Sequence, residues 1–163
     1  MADTREQAQQ FSGEMVQVVS FKLGSEEYGV DIAQVQEIIR LVEITHVPRA
    51  PHFMEGVINL RGQLIPIIDL RTRFGMPRIS ATKSTRIVVT EIGSKRVGIV
   101  VDSVSEVLNI PIENVEDAPE MVAGVGTEYI QGVGKMGERL IIMLDLTMVI
   151  TSEEKRELET VEP

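Results

Sequence analysis

Residues 53–70, FMEGVINLRGQLIPIIDL, align without a gap on residues 129–146, YIQGVGKMGERLIIMLDL. A second ungapped match joins residues 24–39, GSEEYGVDIAQVQEII, to residues 93–108, GSKRVGIVVDSVSEVL. Glycines, aliphatic residues and single acids recur at the same places in both matches. Two matches in the same order predict an internal duplication, and the chain therefore divides into two similar halves.

Each half consists of short apolar runs rich in β-branched residues, separated by glycine turns. Such runs are typical of strands, and about five per half at close spacing predict a mainly β protein of two small barrels packed together. The first barrel is expected at about 16–75 and the second at about 84–146, with a possible exchange of strands between them. Residues 1–15 are expected to be a flexible N-terminal arm, and residues 16–150 one domain.

Helices are expected to be short. Asp69 is placed as the N-cap of a helical turn that ends at Gly75, and Asp145 occupies the equivalent position in the second half. Both acids are therefore interpreted as caps rather than as a catalytic pair. Residues 151–154, TSEE, match a capping box and predict a C-terminal helix from about 152 to 160, within a tail of residues 151–163.

Composition excludes several classes of function. The 163-residue chain contains no cysteine, which removes thiol chemistry, disulfides and cysteine metal sites. Its net charge of −9 argues against nucleic acid as a partner, and the one basic stretch, residues 71–86, is interpreted as a solvated loop. No apolar run is long enough to insert in a membrane, and no signal peptide is visible in the polar N-terminus.

Residues 132–137, GVGKMG, match the G-x-G-x-x-G pattern of dinucleotide-binding loops. A cofactor loop must open a helix, whereas the residues that follow, ERLIIMLDL, form a β-type run. The duplication instead predicts a hairpin, in which Gly134 and Gly137 permit a positive φ or a bulge. His46 and His52 have no clustered third ligand, so no metal site is assigned. No catalytic residue and no cofactor site are assigned either.

What remains is a surface for binding another protein. In VQEII, Val35 and Ile38 flank the single acid Glu37, and in NLRG, Arg61 occupies a hairpin tip. Aliphatic residues beside an arginine on a rigid turn are a common composition of binding hot spots. The alternative, that Val35 and Ile38 are core and Arg61 is a solvated turn residue, is equally compatible with the residues.

A family resemblance rests on these same segments: YGVDI, VQEI, PHFMEGVINLRG, PIIDLR and RVGIVVDSVSEV. Together they resemble the CheW family, the coupling proteins of bacterial chemotaxis, from about Val18 to Leu146. The resemblance implies two five-stranded SH3-like barrels, no catalytic activity and no cofactor. It also implies a cytoplasmic adaptor, at receptor arrays beneath the inner membrane. Its implied partners are the cytoplasmic helical tip of a chemoreceptor and the regulatory domain of the histidine kinase CheA.

The resemblance also implies two sets of contact residues. The positions that match the family's receptor groove are Glu37, Ile38, Arg61 and Val107, and those that match its kinase surface are Val35, Ile44 and Gly56. Two alternatives stay open at this point. One is a CheW-like adaptor of a receptor–kinase pathway outside chemotaxis, and the other is a small nucleotide-binding enzyme that uses GVGKMG.

Overall fold

The structure is a computed structural model, and it describes residues 14–117 and 129–149. The strands are β1 Met15–Leu23, β2 Glu26–Asp31, β3 Val35–Arg40, β4 Met54–Leu60, β5 Gln63–Asp69, β6 Arg86–Ile92, β7 Lys95–Val101, β8 Ser103–Pro111, β9 Val115–Glu116, β10 Ile130–Met136 and β11 Arg139–Leu144. The helices in these residues are two 3₁₀ turns, Ile32–Gln34 and Ile112–Asn114, and two single α-turns, α1 Leu70–Arg73 and α2 Leu146–Val149. Most of the expected arm and the expected C-terminal helix lie outside the described residues.

The strands form two sheets, which confirms a mainly β protein of two packed subdomains. The six-stranded sheet has the order β8-β1-β2-β11-β10-β9, and the five-stranded sheet has the order β3-β6-β7-β5-β4. The sixth strand is the two-residue β9, which pairs only with β10. Neighbours are antiparallel except for two parallel pairs, β2 with β11 and β5 with β7.

Each sheet takes a hairpin from the other half of the sequence. The β1–β2 hairpin of the first half lies between β8 and β11 of the second half. Reciprocally, the β6–β7 hairpin of the second half lies between β3 and β5 of the first. Each sheet therefore contains strands from both halves of the sequence. Neither sheet coincides with one of the continuous stretches 16–75 and 84–146.

The duplication is visible in the irregularities of the ladders. Between β4 and β5 the register shifts at Met54/Gly56, and between β10 and β11 it shifts at the matching Ile130/Gly132. The shift in β3 at Val35/Glu37 recurs in β8, where Ser105 is skipped between Val104 and Glu106. Bulges are specific local features, so their recurrence at equivalent positions supports a common ancestor for the halves.

Three apolar clusters hold the sheets. The largest, here called the central core, takes residues from both sheets and includes Val19, Phe21, Leu23, Tyr28, Val57, Ile68, Val88, Ile99 and Leu144. A smaller cluster fills the five-stranded barrel with Ile58, Ile65, Ile67, Ile87 and Val89. Another fills the six-stranded barrel with Val18, Leu108, Ile110, Ile141 and Met143. The cluster that joins the subdomains thus contains more buried apolar residues than the cluster inside either barrel, which fixes their relative position.

The short helices and turns follow the expected chemistry with one exception. The Asp69 carboxylate accepts a hydrogen bond from the Arg71 backbone N–H at 3.0 Å, and Asp145 accepts one from Thr147 at 3.0 Å. Gly137 has a φ of 63°, as the hairpin requires. The expectation for Gly134 is wrong, because its φ is not positive and the register does not shift there. A Cβ at Gly134 would lie 3.0 Å from Ile110, so close packing explains this glycine.

Candidate functional site

Strand β3 presents an exposed isoleucine beside a partly buried acid. It lies at the edge of the five-stranded sheet and pairs only with β6. Its side chains alternate, so that Ile38 is 39% exposed while Glu37 and Ile39 are partly buried. Of the two interpretations of Ile38, the structure therefore favours a surface residue over a core residue.

The turn between β4 and β5 holds Arg61 in an uncommon backbone conformation. Arg61 has a φ of 52° and Gly62 a φ of 84°, the two positive values that a two-residue hairpin of type I′ needs. The Asn59 side chain accepts a hydrogen bond from the Gly62 N–H at 2.8 Å and fixes this turn. A left-handed conformation costs a non-glycine residue roughly 1–2 kcal/mol, and the equivalent position in the second half is the unstrained Gly137. Strain of this kind at one copy of a duplicated turn points to a functional side chain.

Glu37 and Arg61 are joined across the barrel surface. The Arg61 guanidinium donates a hydrogen bond to the Glu37 carboxylate, and a second arginine, Arg96 of β7, lies 3.4 Å from the same oxygen. The hydrogen bond from Arg61 lowers the pKa of Glu37 below its ordinary value, and the charges of Arg61 and Arg96 act in the same direction. Desolvation opposes this shift. Glu37 is thus an anion held between two cations, and Arg61 is not a free turn residue.

Arg96 is the residue of this group that sequence reasoning missed. Its Nε donates to the Gln36 Oε1 at 2.6 Å, and its other nitrogens reach Gln63 and Glu37. We call Glu37, Arg61, Gln63 and Arg96 the first cluster. A signal for Arg96 was present in the alignment of residues 24–39 on 93–108, where Arg96 falls on Glu27, its opposite in charge.

A matching group, the second cluster, lies on the six-stranded sheet. Arg139 donates to Glu27 at 2.6 and 3.2 Å and lies 3.3 Å from Glu106. These three residues are the duplicates of Gln63, Arg96 and Glu37, in that order. The hydrogen bond from Arg139 lowers the pKa of Glu27. The two clusters therefore occupy equivalent positions of the two halves, a shared arrangement that we call the polar frame, but they differ in the arrangement of charge.

Exposed aliphatic residues accompany both clusters. Val107, one of the expected contact residues, is 50% exposed and is the duplicate of Ile38 in the ladder register. Leu64 beside the first cluster and its duplicate Leu140 beside the second are 51% and 58% exposed. Sequence reasoning missed these leucines because each follows a hairpin turn inside an apolar run that reads as core.

The residues expected to contact a kinase lie mostly below the surface. Gly56 is buried, and a Cβ there would lie 2.3 Å from the carbonyl oxygen of Thr45 and 2.8 Å from Ile44. Ile44 is partly buried against the cluster inside the five-stranded barrel, and Val35 packs against the central core. Ile44 and Gly56 are thus neighbours at the bridge between Thr45 and Val57, whereas Val35 lies on a different element.

A cleft of about 150 Å³ lies beside Ile44. It is lined by Leu41, Ile44, Glu55, Asp69, Arg71, Arg78, Ile79, Ser80, Ala81, Thr85, Val100, Val101 and Asp102. Burial raises the pKa of Asp69, and the charge of Glu55 adds to this effect. Because Asp69 caps α1 and Arg78 pairs with Glu55, these polar groups already have partners within the protein.

The basic stretch 71–86 uses its arginines internally. Arg71 binds both oxygens of Asp102, at 2.7 and 2.9 Å, and Arg73 donates to the carbonyl of Val149 at 2.8 Å. Arg78 pairs with Glu55 and Arg86 donates to the carbonyl of Lys83, so all four arginines of this stretch have partners within the protein. Within the described residues no group of three or more histidine, aspartate or glutamate side chains is placed to hold a metal. Among the described helices, none has the length and apolar character needed to cross a membrane.

Comparison with known proteins gives consistent matches over most of the chain. A family model described as a CheW-like domain matches residues 17–154. The chain is 45% identical to a chemotaxis protein CheW of Klebsiella aerogenes over 82% of this chain and 81% of that protein. It is 34% identical to a chemotaxis protein CheW of Treponema pallidum, over 89% and 88% of the two chains.

A solved structure agrees with the sequence matches. The crystal structure of a scaffolding protein from Thermoanaerobacter tengcongensis superposes with a TM-score of 0.78 at 36% identity. The superposition covers 88% of this chain and 92% of that one. At this identity and coverage the likeness extends over most of the chain.

Proposed function

The chain belongs to the CheW-like domain family, and on that premise we propose that it is a non-catalytic adaptor that couples chemoreceptors to the histidine kinase CheA. The observation that carries the proposal is the first cluster, in which Glu37 and Arg61 are paired beside the exposed Ile38. A rigid ion pair next to exposed aliphatic residues fits an amphipathic helical tip better than a small-molecule substrate. We place the protein on the cytoplasmic side of the membrane, at receptor arrays.

For the receptor site, we assign Glu37, Ile38, Arg61 and Val107. Burial of the aliphatic side chains supplies affinity, and the charged pair fixes the register and orientation of the helix. Such an adaptor changes the activity of a kinase only if its contacts differ between the signalling states of the receptor.

For the kinase surface, we assign Val35, Ile44 and Gly56, with the regulatory domain of CheA as partner. Because Gly56 is buried, its contribution is to hold the backbone of Thr45 and the side chain of Ile44 in place. The half-exposed Val42 and Ile79 supply the apolar area that the three assigned residues lack. Ile79 lines the same cleft as Ile44.

The test is calorimetric titration of the full chain with a peptide hairpin of the receptor tip from the same organism. We expect Ile38→Ala to weaken binding about tenfold, since burial of three fewer carbons removes roughly 1–2 kcal/mol. Ile112→Ala is the matched control, because Ile112 is similarly exposed at 45% but lies in a 3₁₀ turn after β8. Equal affinity for the wild type and Ile38→Ala, with folding intact, would overturn the receptor assignment.

The enzyme alternative that uses residues 132–137 is tested separately. These residues form β10 and the turn to β11, so no helix opens at the glycines. A ligand that prefers the native state raises the melting temperature, and we expect no such rise with NAD or ATP. A rise that Gly134→Ala removes would support a nucleotide site.

A further inference from the structure

The first cluster contains one arginine whose role is not explained by exposure or by turn geometry. Arg96 is 27% exposed and projects from the β6–β7 hairpin, which the second half of the sequence contributes to the five-stranded sheet. Its guanidinium contacts Gln36 and Glu37 of β3 on one side and Gln63 of β5 on the other. One planar group therefore links three strands.

We propose that Arg96 is a positioning residue of the receptor site, and this inference rests on the proposed function. It fixes the Glu37 carboxylate and the Gln63 amide from below, so that Arg61 is the cation presented to the partner. The first cluster contains two cations and one anion. The complementary group on the helical tip is therefore a carboxylate.

The contacts require the forked geometry of arginine. Its Nε and two terminal nitrogens each reach a different acceptor, whereas a lysine offers a single point charge on a flexible stem. With Arg96 absent, Glu37 keeps only Arg61, which is 66% exposed on a turn. Glu37 and Arg61 are then no longer held to strand β7 by a hydrogen bond.

The second cluster supports a specific role for Arg96. The duplicate of Arg96 in that cluster is Glu27, which contacts the cation Arg139 of β11 rather than a glutamine. Both clusters are internally paired, so pairing alone does not require an arginine at position 96. The arginine gives the first cluster its positive character.

The experiment titrates the receptor-tip hairpin into the full chain and compares Arg96→Gln, Arg96→Lys, Glu37→Gln and the double variant Arg96→Gln/Glu37→Gln. We expect Arg96→Gln to weaken binding about fivefold, the loss typical of a single hydrogen bond, and Arg96→Lys not to restore it. The double variant should lose less affinity than the sum of the two single losses, because Arg96 acts through the Glu37 carboxylate that the second substitution removes. The control is Arg78→Gln, which removes an arginine from a surface pair with Glu55 and should leave tip affinity unchanged.

The outcomes separate this inference from the proposed function. If Ile38→Ala weakens binding and Arg96→Gln does not, the receptor site stands and the role of Arg96 is wrong. Additive effects in the double variant, or full recovery with lysine, would show that Arg96 acts as a plain charge and would also overturn the inference. If the wild type does not bind the tip at all, the proposed function itself fails.

Discussion

The two halves of the chain build the same polar frame, and the two frames carry opposite net charge. In the first cluster the anion Glu37 lies between Arg61 and Arg96. In the second cluster the cation Arg139 lies between Glu27 and Glu106. Each frame connects a bulged edge strand to a hairpin, and each has an exposed aliphatic residue on that strand.

The geometry of the frame is therefore set by the fold that both halves share, whereas its charge is set by the side chains that each half carries at these positions. The bulges, the positions of the hairpins and the apolar neighbours match between the halves, and the net charges do not. A duplicated site whose architecture is kept and whose polarity is changed is suited to partner groups of different charge. Arg61 adds to the difference, because the equivalent left-handed position in the second half is occupied by Gly137.

The largest effect is expected from separating the halves. Residues 1–80 and 81–163 produced as separate chains should each remain unfolded by far-ultraviolet circular dichroism. Without β1 and β2, the six-stranded sheet loses the strands between β8 and β11, and the central core loses residues from both sheets. Mixing the two chains should restore the spectrum. A half that folds alone would show that the exchanged hairpins are dispensable.

The next effect compares two glycines at equivalent bulges. Gly56→Ala should lower the free energy of unfolding by about 2–3 kcal/mol, because its Cβ would lie 2.3 Å from the Thr45 oxygen and its φ is 156°. Gly132→Ala should cost about 1–2 kcal/mol, because the Glu116 oxygen is farther away, at 2.8 Å. Urea denaturation measures both.

The Gly56→Ala variant also tests whether Gly56 contacts the kinase directly or only holds its surroundings in place. If Gly56→Ala weakens binding to the CheA regulatory domain only as far as it unfolds the protein, Gly56 is architectural. A variant of wild-type stability that no longer binds the kinase would contradict this account and make Gly56 a direct contact.

A smaller effect depends on pH and on the ion pair Arg71–Asp102, which joins the two halves and has no equivalent at the duplicate positions. Arg71 beside Asp102 holds the pKa of that carboxyl below its usual range, by hydrogen bonds and then by charge, while burial opposes the shift. The ionised Asp102 therefore stabilises the fold above its unfolded pKa of about 3.9, and this contribution is lost as the pH falls through the lower, folded pKa. The duplicate of Arg71 is Thr147, which cannot form this pair.

The measurement is urea denaturation between pH 7 and pH 3. Asp102→Asn should cost about 1–2 kcal/mol at neutral pH and should flatten the decline in acid. Asp69 acts in the opposite direction, since burial raises its pKa and protonation favours the fold. Asp69→Asn keeps an N-cap residue and should make the acid decline steeper. Parallel curves for Asp102→Asn and the wild type would show that another group governs the decline.

Much of this architecture was predictable from the sequence. Glycine spacing and β-branched runs identify the strands, and the duplication identifies the hairpin that holds Arg61. The sequence leaves the exchange of hairpins open, because strand patterning fixes which face of a strand is buried but not which strand lies beside it. Arg96 and Arg139 escaped notice because their roles arise from contacts across strands that are 33 to 112 residues apart.

The smallest effect on stability is expected from converting the first cluster into the second. The double variant Gln63→Arg/Arg96→Glu places the charges of Arg139 and Glu27 in the frame that holds Glu37. Arg96→Glu alone sets two carboxylates side by side and should cost about 1 kcal/mol. The double variant should return to within about 0.5 kcal/mol of the wild type, as expected for partly exposed pairs. Its affinity for the receptor tip should nevertheless fall, because the cluster then holds as many anions as cations and loses its net positive charge. A double variant that stays as unstable as the single one would mean that the two frames are not equivalent, and that each has adapted its backbone to its own charges.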